Sequence, residues 1–172
     1  MWMVKNNYEK DKIRYGEHGK MPRFQIYLRK YQISKGKVGR LICKFLFAYY
    51  RRRNLVDMSI ETKIGGGLYI GHPYGITINP QAVIGENCNI HKGVTIGQEN
   101  RGKRKGTPVI GDEVWIGINA TIVGKILIGS DVLIAPNTFV NKDIPDHSVV
   151  FGNPCVIIPN TKATEEYICN KA

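Results

Sequence analysis

"VIGDEVWIGINATIVGKILIGSDVLIAPNTFV", residues 109–140, places a large aliphatic side chain at every sixth position: Ile110, Ile116, Ile122, Ile128, Ile134 and Val140. A period of six matches neither the 3.6 of an α-helix nor the 2 of a half-buried strand. It does match a solenoid whose coil is triangular. Each hexapeptide makes one short flat side, three sides make a coil of about 18 residues, and coils stack at the strand spacing of about 4.8 Å. The anchors fill the axis, and small residues beside them relieve crowding at the corners.

The same beat runs upstream through Ile84, Ile90 and Ile96, and before that through Ile64, Ile70 and Ile76. Eleven of these twelve anchors are isoleucine and one is valine, and glycine follows the anchor at 65, 71, 85, 97, 111, 117 and 129. The expected architecture is an all-β main domain over residues 55–158, a parallel β-helix of about five coils. The rhythm slips twice. Ile76 to Ile84 is eight residues, which places two extra residues around Asn79-Pro80. Ile96 to Ile110 is fourteen, read as two sides plus two, and "QENRGKRKGT" (98–107) lacks an inward apolar residue, so it is expected to leave the prism as a loop. Interruptions of a solenoid mark places where something other than stacking is at work.

Residues 1–54 hold 15 Lys and Arg against 3 Asp and Glu, a balance of +12, while the rest of the 172-residue chain balances at −1. This basic N-terminal third reads as a short helical extension. Phe24, Tyr27, Leu28 and Tyr31 recur at helical spacing, as do Val38, Leu41, Ile42, Phe45, Leu46 and Tyr49, with Pro22 at a helix start and "SKGKVG" as the break between them. Both stripes are expected to pack on the main domain. The charge fits contact with a membrane surface or an anionic glycan, and nucleic acid is not expected because no recognition motif accompanies it. The remaining residues, 159–172, are expected to form a C-terminal tail.

No segment reads as a secretory signal or a bilayer span, and the expected location is cytoplasmic, peripheral at the inner membrane face. Four scattered cysteines form neither a disulfide framework nor a zinc motif, and no metal is expected.

His72 stands two positions after the anchor Ile70 and should therefore face outward, where imidazole is suited to act as a general base near neutral pH. His91 and His147 read as structural, and His18 lies in the basic extension without context.

"VDMSIETKIGGGLYIGHPYGI" (56–76), "VIGDEVWIGINATIVG" (109–124) and "IPDHSVVFGNP" (144–154) resemble the serine acetyltransferase branch of the hexapeptide acyltransferases. The resemblance implies a left-handed coil, acetyl-CoA as co-substrate and a homotrimer with CoA in the groove between two prisms. It implies that His72 deprotonates the acceptor hydroxyl and that Asp57 orients the imidazole. Backbone amides near Gly97 and Gln98 would meet the oxyanion. Pantetheine would pass Gly97, Ile118, Asn119, Ala135 and Pro136, and Lys142 would reach a phosphate.

The chain departs from that branch where serine is held. Gly71 replaces the acidic residue before the catalytic histidine, and Gly106-Thr107-Pro108 replaces Arg-His-Pro at the end of the loop. A zwitterion needs a charged partner at each end. The expected acceptor is therefore a hydroxyl of a carbohydrate or polysaccharide precursor, with Tyr74 and Thr107 as substrate contacts. Serine or another small molecule is the alternative. A zinc hydrolase of the same fold is disfavoured because no H-x-x-x-x-H pair exists, and a non-catalytic scaffold would leave Asp57 and His72 without purpose.

Overall fold

All twelve of these side chains are buried, and none of them is more than 5% exposed. The structure is a computed structural model and describes residues 6–17 and 19–172, so His18 lies outside it. Three parallel sheets form the sides of the prism. Face A consists of β3 (Thr77–Ile78), β6 (Thr95–Gly97), β9 (Thr121–Val123) and β12 (Phe139–Val140). Face B consists of β1 (Lys63–Ile64), β4 (Val83–Ile84), β7 (Val109–Ile110) and β10 (Leu127–Ile128). Face C consists of β2 (Tyr69–Gly71), β5 (Asn89–His91), β8 (Val114–Ile116), β11 (Val132–Ile134) and β13 (Ser148–Phe151), closed by the antiparallel β14 (Val156–Pro159). The result is a solenoid of about five coils, as the period of six requires.

Glycine beside the anchors is a packing requirement on face B. A Cβ on Gly65 would lie 2.6 Å from the Gly85 carbonyl, and one on Gly85 would lie 2.5 Å from the Gly111 oxygen. Backbone stacks on backbone there, so no side chain fits.

Strand pairing moves the first slip. Ile78 pairs with Ile96, which pairs with Ile122, so Ile78 rather than Ile76 is the in-register anchor of face A. The six-residue step is then Ile78 to Ile84, and the eight-residue step is Ile70 to Ile78. The two extra residues therefore belong to the corner His72–Gly75, not to Asn79-Pro80. Ile76 and Ile78 are both buried, and Ile76 occupies the widened corner. Pairing also redefines the second slip. Ile96 lies on face A and Ile110 on the adjacent face B, so the fourteen-residue step crosses one corner, and residues 98–107 are the insertion in it. The loop closes on itself through the Glu99–Gly106 bridge and an Arg104–Glu99 ion pair of 3.0 Å, and Lys125 N donates to Arg104 O.

Three helices precede the prism: α1 (Asn7–Tyr15), α2 (Arg23–Ile33) and α3 (Lys37–Arg53). A buried ion pair fastens the first two. Arg29 and Asp11, whose side chains are fully enclosed, meet at 2.7 Å, and Arg29 also donates to the Ile64 and Gly65 carbonyls. Asp11 in turn accepts from Leu68 N and Gln25. Such a pair survives burial because its hydrogen-bonding capacity is met.

The stripe Phe24–Leu28 of α2 is buried as expected from its spacing, whereas the α3 stripe is not. α3 packs through Phe47 and Tyr50, the latter stacked on Tyr27 with ring centroids 5.6 Å apart. Phe47 lies roughly half a turn from the stripe Val38–Tyr49, which therefore faces outward. After β14 the chain runs back across face C, where Asp131 receives Thr164 Oγ1 and N, and Asn89 donates to Tyr167 O.

Candidate active site

His72 opens the widened corner between faces C and A. Its backbone is left-handed, with φ 54°, and its ring is exposed. The corner is pinned from both sides: Tyr74 N donates to His72 O at 2.7 Å, Gly93 N to Tyr74 O and Gly75 N to Asn54 O. An outward imidazole at a fixed corner is what the position two after an anchor demands. Tyr74 is also exposed, so it does not fill the corner.

Asp57 sits at the start of face A. Its amide donates to Ile76 O and its carbonyl accepts from Ile78 N, each at 2.7 Å, which sets it beside Thr77 on the next coil. Its carboxylate does not hydrogen-bond His72 within the chain. Instead Arg51, from the last turn of α3, donates from Nη1 to Asp57 Oδ1 at 3.0 Å and to Val56 O at 3.2 Å. Arg51, Asp57, Ser59, Thr77, Asn79 and Gly97 line a cavity of about 410 Å³. This cavity opens on the face that His72 borders, because β3 begins five residues after it.

The remaining sequence candidates fall on two edges of face A. Register carries Gly71 onto His91, while Asn119 N donates to Lys92 O and Asn137 N to Ile118 O. Ile118, Asn119, Ala135 and Pro136 thus continue the edge that His72 begins. A Cβ on Gly117 would lie 2.6 Å from Pro136 N, a measure of how tightly that edge stacks. Gly97, Gln98 and Lys142 lie on the opposite edge, because Val140 and Ile96 both pair with Ile122. Gln98 is tied to Asn79 at 3.2 Å and to Asn100 at 2.6 Å. Thr107 Oγ1 donates to Gln81 O at 3.3 Å, which fastens the end of the loop to the preceding coil.

His91 is half-buried against Trp115, with ring centroids 4.7 Å apart, and burial, assisted by the nearby His72 imidazole, holds its pKa below the ordinary value. Stacked on Trp115 and half-buried, His91 forms part of the wall beside that corner. His147 pairs with Asp131 at 2.9 Å in the seat of the C-terminal segment. Among the described residues no group of three His, Cys, Asp or Glu is arranged to hold a metal. Sequence reasoning missed Arg51 as a member of the site. The only signal was the arginine run at 51–53, four to six residues before Asp57.

These features define a class, the hexapeptide-repeat left-handed β-helix. The family model described as "Bacterial transferase hexapeptide (six repeats)" matches residues 107–142. The similar proteins are serine acetyltransferases. The chain is 40% identical over 103 residues to the Staphylococcus aureus serine acetyltransferase, covering 60% of this chain and 48% of that one. It is 38% identical over 103 residues to serine acetyltransferase 4 of Arabidopsis thaliana, covering 60% of this chain and 29% of the other. The chain thus spans less than half the length of these relatives. Among solved structures, the Neisseria gonorrhoeae serine acetyltransferase in complex with serine superposes with a TM-score of 0.65 at 28% identity, covering 88% of this chain and 67% of that one. The Brucella abortus enzyme in complex with coenzyme A gives 0.66 at 26% identity, covering 80% and 54%.

These findings correct the expected acceptor. Relatives by sequence and by structure include serine acetyltransferases, two of them solved with serine, and none of this favours a carbohydrate hydroxyl. Loss of charge at Gly71 and Gly106–Pro108 had suggested otherwise. Missing charge at those positions does not exclude serine, because Arg51 places a guanidinium at the cavity beside Asp57.

Proposed function

We propose that the protein transfers the acetyl group of acetyl-CoA to the hydroxyl of serine or a closely similar small amino acid. The observation that carries this reading is the outward His72 at one edge of face A, with a cavity bounded by Arg51 and Asp57 on the same face, in a chain similar to serine acetyltransferases. His72 removes the hydroxyl proton as the oxygen attacks the thioester carbonyl. The tetrahedral oxyanion then collapses, the carbon–sulfur bond breaks, and the imidazolium returns its proton to the CoA sulfur. Asp57 is assigned to steer the imidazole, which requires its carboxylate, hydrogen-bonded to Arg51 in this structure, to reach His72 as well.

Arg51 supplies the guanidinium that residues 106–108 lack. Among the described residues only its Nη1 is engaged, with Asp57 and Val56, which leaves Nε and Nη2 for an acceptor carboxylate. The cofactor is assigned to both edges of face A, past Ile118, Asn119, Ala135 and Pro136 on one and Gly97, Gln98 and Lys142 on the other. Two edges on opposite sides of one face serve one ligand best when copies assemble as a trimer, each cleft taking one edge from each neighbour. The test is product identification by mass spectrometry after incubation with acetyl-CoA and L-serine. O-acetylserine with equimolar free CoA is expected, and acetyl-CoA left intact with L-serine present would refute the reading.

A further inference from the structure

We propose that α3 is an interfacial helix that seats the protein on an anionic lipid surface. Val38, Leu41, Ile42, Phe45 and Tyr49 fall on one side of the helix and are 72, 69, 54, 71 and 47% exposed. The opposite side is already used, with Phe47 buried and Tyr50 packed on α2. α3 is therefore apolar on two sides, and only one is covered. Isolated exposed side chains need no explanation, but five contiguous ones over three turns mark a contact surface.

The occupant follows from charge. Lys37 and Lys44 border the stripe on one side, Arg52 and Arg53 close its C-terminal end, and neither α2 nor α3 contains an acidic residue. An apolar stripe with a basic border and no carboxylates lies in the plane of a headgroup layer, with the rings and aliphatic groups in the acyl boundary and the cations among the phosphates. No described helix is long and apolar enough to cross a membrane, so α3 rests along the surface instead. A second copy of α3 is the poorer occupant. Face-to-face pairing would oppose two basic borders within extensions that each balance at +12, whereas anionic lipid neutralises them.

Co-sedimentation of the full chain with vesicles tests the proposal. On phosphatidylcholine vesicles containing about 30 mol% phosphatidylserine, binding should exceed that on pure phosphatidylcholine by about 10-fold or more and weaken with salt. The double variant Leu41→Glu/Phe45→Glu should lose about 10-fold or more of that binding, because it removes the two most central apolar groups. Its melting curve and its mass by sedimentation equilibrium should match wild type, since both side chains are exposed. No binding to the anionic vesicles would overturn the proposal, and so would undiminished binding by the variant. A variant that folds but changes assembly mass would also overturn it, by assigning the stripe to contact between copies.

Discussion

Arg51 holds both Asp57 and the Val56 carbonyl through Nη1, and it lines a cavity together with Thr77, Asn79 and Gly97. If its guanidinium receives the acceptor carboxylate, Arg51→Gln should raise KM for L-serine by about 10-fold or more. Turnover of ethanolamine, which has the hydroxyl and amine but no carboxylate, should be slow in wild type and little changed in the variant. Steady-state thiol release with both acceptors checks this, and an equal loss on both would reduce Arg51 to a support for Asp57. The outward placement of His72 was legible in the sequence because a six-residue repeat states which positions point outward. Arg51 was not, because its place depends on where α3 ends relative to face A, which no periodicity encodes.

At the scale of elements, the helices and the C-terminal segment are fastened by buried or partly buried carboxylates. Removing Asp11 would strand the enclosed Arg29 guanidinium, and Asp11→Ala should cost about 3–5 kcal/mol in urea unfolding. Asp131 offers a pH-dependent counterpart. Burial pushes its carboxyl up, but hydrogen bonds from Thr164, His147 and Ala163 outweigh that and hold it below the ordinary range. A carboxylate depressed in the folded state contributes stability above its unfolded pKa of about 3.9 and loses it as pH falls through the folded value. Asp131→Asn should therefore speed amide exchange in residues 163–168 by about 10-fold at neutral pH, with the difference from wild type shrinking below about pH 4. The corner slip shows what a sequence withholds at this scale. Ile76 and Ile78 are both apolar and both buried, so only the pairing of Ile78 with Ile96 reveals that the added residues surround His72. The α3 stripe carries a similar lesson, since helical spacing identifies an apolar face without saying whether a partner covers it.

For the whole molecule, the prism was the most legible feature, because runs of anchors at a spacing of six, broken only twice, fit a triangular coil and neither a helix nor a half-buried strand. Assembly was not legible from the repeat, since a flat-sided prism is compatible with several packings. The distribution of the proposed cofactor contacts over two edges of face A predicts that the active species is a trimer of the 19.4 kDa chain. Sedimentation equilibrium at assay concentrations should give three times the monomer mass, and a fully active monomer would oppose the shared cleft. Acceptor choice depends on a few charged contacts within the site, which is why it was misjudged while the fold was not.

The account rests on an imidazole held outward at a left-handed corner acting as the base for acetyl transfer. Thiol release from acetyl-CoA with L-serine, compared between wild type and His72→Ala at saturating substrates, tests it most directly. A fall in kcat of about 10²-fold or more is predicted, the scale of a lost general base. Equal turnover by a correctly folded His72→Ala variant would contradict it.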